Sequence, residues 1–257
     1  MEDFQDRIRL ALNGANGRMC RAIAHAVKCD SRFETAFGVD KIVLKDEQCF
    51  PVFSSFDGVP PCDVVVDFST PKATMSALEF ALMKSLPILV ATTGHDEPQR
   101  EKIENASKHI PVFYASNTSV GTYLVIQLAE IAAAFLSYDV EIVETHHRIK
   151  ADAPSGTALE IASAIRDARR KSSGEYVLAL GHDSRREERQ IGIHSVRGGT
   201  VVGKHEILFL GDDERIVISH EAENKSVFVH GALKAAAFLV DKPHGLYGMK
   251  DLLENQC

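Results

Sequence analysis

The sequence predicts an α/β fold: a parallel sheet covered by helices in the first half, then a part richer in antiparallel strands. Three observations lead there. Short apolar runs alternate with helical patterns as far as Tyr114, a glycine turn joins the first run to the first helix, and after Ser119 the rhythm changes to long helices and runs linked by short turns.

Ile8, Leu10 and Leu12 alternate with Arg9 and Ala11, and then Asn13-Gly14-Ala15-Asn16-Gly17 breaks the pattern. Met19, Ile23 and Val27 resume at helical spacing, which reads as strand, turn, helix. Further strands are expected over 35–39, 64–68, 88–91 and 112–114, separated by helices over 71–85 and 98–107. Pro71 and Pro98 suit a first helical turn, and Thr70 and Asp96 stand where caps belong.

The second half predicts a helix over 122–136, a strand over 140–144, a polar loop, and a helix from 157 to about 170. Strand-like runs at 190–196, 200–210 and 215–220 are joined by Arg197-Gly198-Gly199 and Gly211-Asp212-Asp213-Glu214, so they read as antiparallel neighbours. The stretch 171–188 is polar and reads as an exposed connection. An apolar, Ala-rich helix is expected over 228–240 and a last short one over 246–253, with no internal repeat.

Composition narrows the function. With 29 Lys and Arg against 36 Asp and Glu, the net charge of −7 disfavours nucleic acid and anionic membrane as partners. Cys20, Cys29, Cys49, Cys62 and Cys257 form no C-x-x-C pair and no zinc spacing, so no metal is expected and a reducing, cytoplasmic setting fits. Residues 1–10 are charged and contain neither a secretory nor a transit signal. The longest apolar stretch, 124–136, is interrupted by Gln127 and Glu130 and is too short to cross a bilayer.

Gly14-Ala15-Asn16-Gly17-Arg18-Met19 follows a predicted strand and opens a helix, the setting in which backbone N–H groups and the helix dipole receive a pyrophosphate. Asp40 follows the second strand, where an acid hydrogen-bonds ribose hydroxyls, while Lys41 suits a 2′-phosphate. The third glycine position holds Cys20, and an ordinary tight turn uses similar residues. Ala91-Thr92-Thr93-Gly94 and Ala115-Ser116-Asn117-Thr118 end two other strands, at the edge where open α/β sheets bind ligands, although turn chemistry also explains them.

The most informative stretch is 144–158, Glu-Thr-His-His-Arg-Ile-Lys-Ala-Asp-Ala-Pro-Ser-Gly-Thr-Ala. His146, His147, Arg148 and Lys150 concentrate positive charge in an acidic chain, which calls for an anion such as a small dicarboxylate. Ser155, Gly156 and Thr157 begin a helix and offer N–H groups and hydroxyls to a carboxylate, though a surface loop with a helix cap is the plainer alternative. Crowding with Arg148 and Lys150 favours neutral histidine until a bound dianion restores its charge. His182, His194, His205, His220 and His230 are scattered and read as structural.

At this loop the chain resembles the dihydrodipicolinate reductases, also called 4-hydroxy-tetrahydrodipicolinate reductases. The resemblance extends to the Gly14–Met19 turn, Asp67-Phe68-Ser69, Thr92-Thr93-Gly94, Asn117-Thr118-Ser119-Val120-Gly121, and Val196-Arg197-Gly198-Gly199 with Gly203, His205 and Phe209. It covers nearly the whole chain. It implies a Rossmann-like dinucleotide-binding domain over 1–118 and 228–257, and an α+β domain over 119–227. The second domain would carry a mixed, largely antiparallel sheet for substrate binding and assembly into a homotetramer.

The resemblance also implies site roles. His146 would be the acid, and Lys150 its partner in protonation and substrate binding. His147, Ser155, Gly156 and Thr157 would hold the carboxylates of a heterocyclic substrate. Gly14, Ala15, Asn16, Gly17, Arg18, Met19, Asp40, Lys41, Ala91, Thr92, Thr93, Ala115, Ser116, Asn117 and Thr118 would line NADH or NADPH. Ala91 departs from the family's usual glycine, and Thr118 from a common aromatic.

The reaction so implied adds a hydride and a proton to a cyclic intermediate of diaminopimelate and lysine biosynthesis. Asp40 beside Lys41 predicts that both cofactors are accepted, and domain closure is expected to bring the cationic loop to the nicotinamide. Two other readings compete: another oxidoreductase of the same two-domain plan, and a ligand sensor that kept the nucleotide domain without turnover. Intact His146 and Lys150 argue against the sensor.

Overall fold

A computed structural model describes residues 7–43, 49–173, 175–181 and 185–254. The charged residues before Arg7, His182 and Cys257 lie outside the described residues, as does part of the 171–188 connection. The chain divides into two compact units, Met1–Thr118 with Phe228–Cys257, and Ser119–Val227.

In the first unit, β1 (Ile8–Asn13), β2 (Phe33–Val39), β3 (Val52–Phe53), β4 (Val64–Asp67), β5 (Ile88–Val90), β6 (Pro111–Tyr114) and β12 (Gly245–Tyr247) form one seven-stranded sheet. Its order is β12-β6-β5-β4-β1-β2-β3 and every ladder is parallel. Parallel sheets are covered on both faces, which explains why Val64–Val66 and Ile88–Val90 are unbroken apolar runs, all buried. The connecting helices are α1 (Arg18–Val27), α2 (Pro71–Lys84) and α3 (Glu97–Ala106). Thr70 caps α2, while Asp96 and Gln99 form a reciprocal capping box at α3. The chain winds outward from β1 through β2 to β3 and then returns to β4 on the other side of β1. This makes a topological switch point between β1 and β4, and such a point opens a crevice at the carboxyl ends of the strands.

The strands β3 and β12 were not legible, being two and three residues long. The expected last helix over 246–253 is divided between β12 and α7 (Met249–Glu254). The Ala-rich helix α6 (Ser226–Val240) buries Val229, Leu233 and Leu239. Thr118 donates its hydroxyl to the Phe228 carbonyl at its start.

The second unit contains α4 (Val120–Phe135), β7 (Asp139–His146), α5 (Gly156–Ser173), β8 (Val177–Leu180), β9 (Gln190–Arg197), β10 (Gly203–Leu210) and β11 (Arg215–Ala222). The sheet order is β11-β10-β7-β9-β8. The sheet is mixed, as expected, but its ladders divide evenly: β10 is antiparallel to β7 and β11, whereas β9 is parallel to β7 and β8. The antiparallel share is therefore smaller than the sequence suggested. The expected pairing of 190–196 with 200–210 is replaced, because β7 lies between them and the 198–202 connection passes the end of that strand. Residues 177–180, expected to lie within an exposed connection, form the edge strand β8.

Along β7 burial alternates with period two, and Val140, Ile142, Glu144 and His146 share the buried face. On β10 the matching face presents Gly203, His205, Ile207 and Phe209. The apolar residues of these strands pack beneath Val125 and Ala129 of α4 and Ile161 and Ile165 of α5. At the end of β7 the apolar core thus gives way to a buried polar cluster. No helix among the described residues is long and apolar enough to cross a membrane.

Candidate active site

The first unit supplies a glycine turn at the carboxyl end of β1. Gly14 has φ +82°, and a Cβ there would stand 2.7 Å from the Phe68 carbonyl oxygen, so only glycine fits. The Gly14 and Ala15 N–H groups donate to the Val39 carbonyl at 2.9 and 3.1 Å, and the Gly17 N–H donates to the Gly14 carbonyl at 2.8 Å. Among the described residues no side chain caps α1 and no acid occupies its first turn, which suits the positive dipole end to an anion. This backbone cradle fits a dinucleotide pyrophosphate. Arg18 is exposed at the helix start and Met19 half-buried beside it.

Asp40 follows β2 and accepts the Asn16 N–H at 3.0 Å, which ties the acid to the turn; Lys41 is exposed. Cys20 is buried and donates its thiol to the Asn13 carbonyl, and burial pushes the thiol pKa up. It packs where a third glycine would stand.

Beneath the crevice lies a buried network centred on Asp67. Its carboxylate accepts Asn13 Nδ2 at 2.7 Å, the Ser69 hydroxyl at 2.5 Å and the Thr74 hydroxyl at 2.6 Å. Burial raises its pKa, opposed by the hydrogen bonds from Ser69, Thr74, Thr92 and Asn13. The Thr92 hydroxyl accepts the Ser69 N–H at 2.8 Å, linking two strand ends. Ala91 is buried and Thr93 exposed after β5; Ala115 and Asn117 are half-buried and Ser116 exposed after β6, with Thr118 buried. His95 is buried against Tyr114, and burial lowers its pKa.

The second unit brings His146, His147, Lys150, Ser155, Gly156 and Thr157 into one region where β7 passes into α5. The His146 Nδ1 lies 2.5 Å from Glu144 Oε2. Arg197 grips the same carboxylate with both terminal nitrogens, at 2.8 and 2.7 Å, and the Ser155 N–H donates to it at 3.2 Å. Glu144 is fully buried; burial alone would raise its pKa, but Arg197, Ser195 and His146 hold it down at about 2. Burial lowers the His146 pKa, Glu144 opposes this, and Lys150 and Arg197 reinforce it.

Lys150 donates to both Asp152 carboxylate oxygens at 2.8 Å. Ser155 is buried: its hydroxyl accepts the Ala158 N–H at 3.2 Å and stands 3.1 Å from His205 Nε2. Gly156 is exposed, and a Cβ added there would meet nothing within 4 Å. The N–H groups of Gly156 and Thr157 precede the first helical bond, Leu159 N–H to the Ser155 carbonyl at 3.1 Å. The Nδ1 of His147 is buried without a hydrogen-bond partner among the described residues, the kind of atom a ligand carboxylate satisfies.

Glu144, Arg197 and His205 had drawn no functional reading from the sequence. The signal for Glu144 was its spacing from His146, since residues two apart on a strand share a face. Arg197 and His205 come from other strands, so only the sheet pairing brings them in. His205, read as structural, packs edge-on against His146 with ring centroids 5.3 Å apart, and burial, with His146, lowers its pKa to about 4.

Comparison with known proteins gives one pattern. Residues 8–118 match the family described as dihydrodipicolinate reductase, N-terminus, and 121–253 its C-terminus. The chain is 44% identical over 252 residues to the 4-hydroxy-tetrahydrodipicolinate reductase of Caldanaerobacter subterraneus subsp. tengcongensis, covering 96% of this chain and 98% of the other. It is 39% identical over 251 residues to that of Clostridium tetani, with 96% and 98% covered. Among solved structures, the dipicolinate-bound dihydrodipicolinate reductase from Paenisporosarcina sp. TG-14 aligns with a TM-score of 0.75 at 26% identity, covering 95% of this chain and 99% of the other.

Proposed function

The chain belongs to the dihydrodipicolinate reductase family, and from that premise we propose a reaction and a division of labour. It reduces 4-hydroxy-tetrahydrodipicolinate to tetrahydrodipicolinate, a step toward diaminopimelate and lysine. The overall change is loss of water together with gain of one hydride and one proton. A reduced nicotinamide cofactor, when bound, supplies the hydride.

The Gly14–Gly17 turn and the start of α1 at Arg18 and Met19 hold its pyrophosphate. Asp40 takes the ribose hydroxyls and Lys41 a 2′-phosphate, so NADH and NADPH are both used. Thr92, Thr93 and the segment Ala115–Thr118 line the nicotinamide end, with Ala91 beneath. The unit containing these residues is the dinucleotide-binding domain, and residues 119–227 form the substrate-binding and oligomerisation domain.

His146 gives the proton through Nε2, the nitrogen not engaged by Glu144. Its pKa is depressed without ligand, so arrival of a dianionic substrate raises it and brings on the proton that is then transferred. His147, Gly156 and Thr157 bind the substrate carboxylates, and Ser155 shapes the turn that presents them. Lys150 exchanges its Asp152 carboxylate for one from the substrate and stabilises charge as it develops.

The observation that carries the reading is the cluster at the end of β7, where an acid-anchored histidine, a lysine and the start of α5 converge. A homotetramer formed through the second domain accounts for the apolar stripe Leu124, Leu128, Ile131 and Phe135 on the outer face of α4. The described cysteines are all unpaired, in keeping with a cytoplasmic enzyme. The test follows oxidation of NADH and NADPH with substrate made in situ by a synthase from pyruvate and aspartate semialdehyde. Cofactor oxidation that requires the synthase supports the assignment, and its absence with both cofactors refutes it. Sedimentation velocity reads the assembly, for which a monomer would be the contrary result.

A further inference from the structure

We propose that Glu144, clamped by Arg197, is the positioning residue of the proton donor, keeping hydrogen on His146 Nδ1 so that Nε2 alone takes up and gives the reactive proton. The inference rests on the reading of His146 as donor and adds two side chains to it.

The geometry leaves Glu144 little freedom. One carboxylate oxygen receives His146 Nδ1 at 2.5 Å and Arg197 at 2.8 Å; the other receives Arg197 at 2.7 Å and the Ser155 N–H at 3.2 Å. A bidentate guanidinium fixes the carboxylate plane, and the plane fixes the imidazole. Arg197 also donates to the Asp152 carbonyl at 2.6 Å, so the same guanidinium anchors the loop that carries Lys150. Burying an ion pair is a poor way to gain stability, since desolvation offsets the attraction, whereas carboxylate–histidine pairs serve to set tautomer and orientation.

The surroundings agree. The groups facing His146 are Glu144 on its own strand, Lys150 on the following loop, Arg197 on β9 and His205 on β10, with His220 paired to His205 on β11. Burial, Lys150 and Arg197 disfavour the imidazolium, and Glu144 is the group that favours it. Glu144 remains ionised with its pKa at about 2, so the Nδ1 hydrogen stays on His146 throughout. His205, with its pKa lowered to about 4, is neutral and does not compete for the proton. In the step itself the Nε2–H bond breaks as the substrate C–H bond forms, and solvent afterwards returns a proton to Nε2.

Nitrogen and carbon NMR of histidine-labelled protein tests this, with the His146 signals assigned by comparison with His146→Gln. The wild type should show the Nδ1–H tautomer. In Glu144→Gln the His146 pKa should fall by about one to three units, making the imidazolium roughly 10- to 1,000-fold rarer near neutrality. The alkaline limb of the kcat profile should move to lower pH by the same amount, with the NADPH dissociation constant unchanged. Glu144→Asp should restore part of the loss, and Arg197→Gln, which removes a repelling cation, should move the His146 pKa upward. A purely structural role would give no such opposed shifts.

An unmoved His146 pKa in folded Glu144→Gln overturns the proposal, as do shifts of the same sign in Glu144→Gln and Arg197→Gln. If Glu144→Gln does not fold, an unmoved pKa in both Glu144→Asp and Arg197→Gln overturns it. Failure of the underlying reading looks different: His146→Gln would turn over normally while the NMR coupling persisted.

Discussion

Replacing Gly14 with alanine tests the cofactor cradle, and its cost can be worked from the structure. Two penalties combine. The backbone at φ +82° is left-handed, which costs an L-residue about 1–2 kcal/mol. The added Cβ would meet the Phe68 carbonyl oxygen at 2.7 Å and the Ser69 Cα at 3.0 Å, both main-chain atoms that cannot swing aside. Overpacking of that sort costs about 1–3 kcal/mol. Together they remove about 2–5 kcal/mol from a stability on the order of 5–15 kcal/mol. For a unit of this size the melting temperature should drop by roughly 5–20 °C.

Gly58→Ala is the matching control. Gly58 has φ +66° but nothing within 4 Å of an added Cβ, so it incurs only the conformational cost of about 1–2 kcal/mol. Denaturant unfolding of both variants separates the clash from the backbone term, and NADPH fluorescence titration reads the turn. Gly14→Ala should bind NADPH at least about tenfold more weakly, a loss of about 1.4 kcal/mol, and Gly58→Ala as the wild type does. Equal destabilisation of the two variants with unchanged NADPH affinity in both would show that the Gly14 turn neither resists a side chain nor holds the cofactor.

Lys150→Met should raise the dicarboxylate KM and lower kcat, since both binding and charge stabilisation are lost; unchanged steady-state constants would contradict this. Asp152→Asn should act in the opposite direction on KM, lowering it about two- to fivefold, because the competing pair is partly exposed and worth no more than about 1 kcal/mol. The acid limb of stability should belong in good part to Glu144. Its carboxyl is held at about 2 against an ordinary 4.5, so the stabilisation is complete above about pH 4.5 and disappears as pH falls through about 2. Glu144→Gln should flatten that limb in chemical denaturation series from pH 6 down to about 2. Asp40→Asn should shift kcat/KM toward NADPH by removing the acid opposite the 2′ position; an unaltered ratio would show that Asp40 serves only to hold Asn16.

Much of the fold was legible because its strongest elements follow from local rules. Val64–Val66 and Ile88–Val90 read as buried strands from apolar runs, and Thr70-Pro71 and Asp96-Glu97-Pro98 marked helix starts from cap chemistry. The parts missed depend on partners distant in the chain. Val52–Phe53 and Gly245–Tyr247 are strands only because β2 and β6 offer them edges. Residues 190–196 and 200–210 looked like a hairpin, and nothing local reveals that β7 inserts between them. The site divides in the same way. The cationic loop stood out by its charge, while the carboxylate that orients His146 was visible only as an acid two residues away, and Arg197 required the register of β7 with β9.

In the proposed reaction a histidine at the end of β7 delivers the proton that accompanies hydride transfer. Single-turnover oxidation of NADPH by His146→Gln, with substrate supplied by the coupled synthase, addresses it most directly. The chemical step should slow about 100- to 10,000-fold, with NADPH affinity within a factor of about two of wild type. A rate within about threefold of wild type would contradict it.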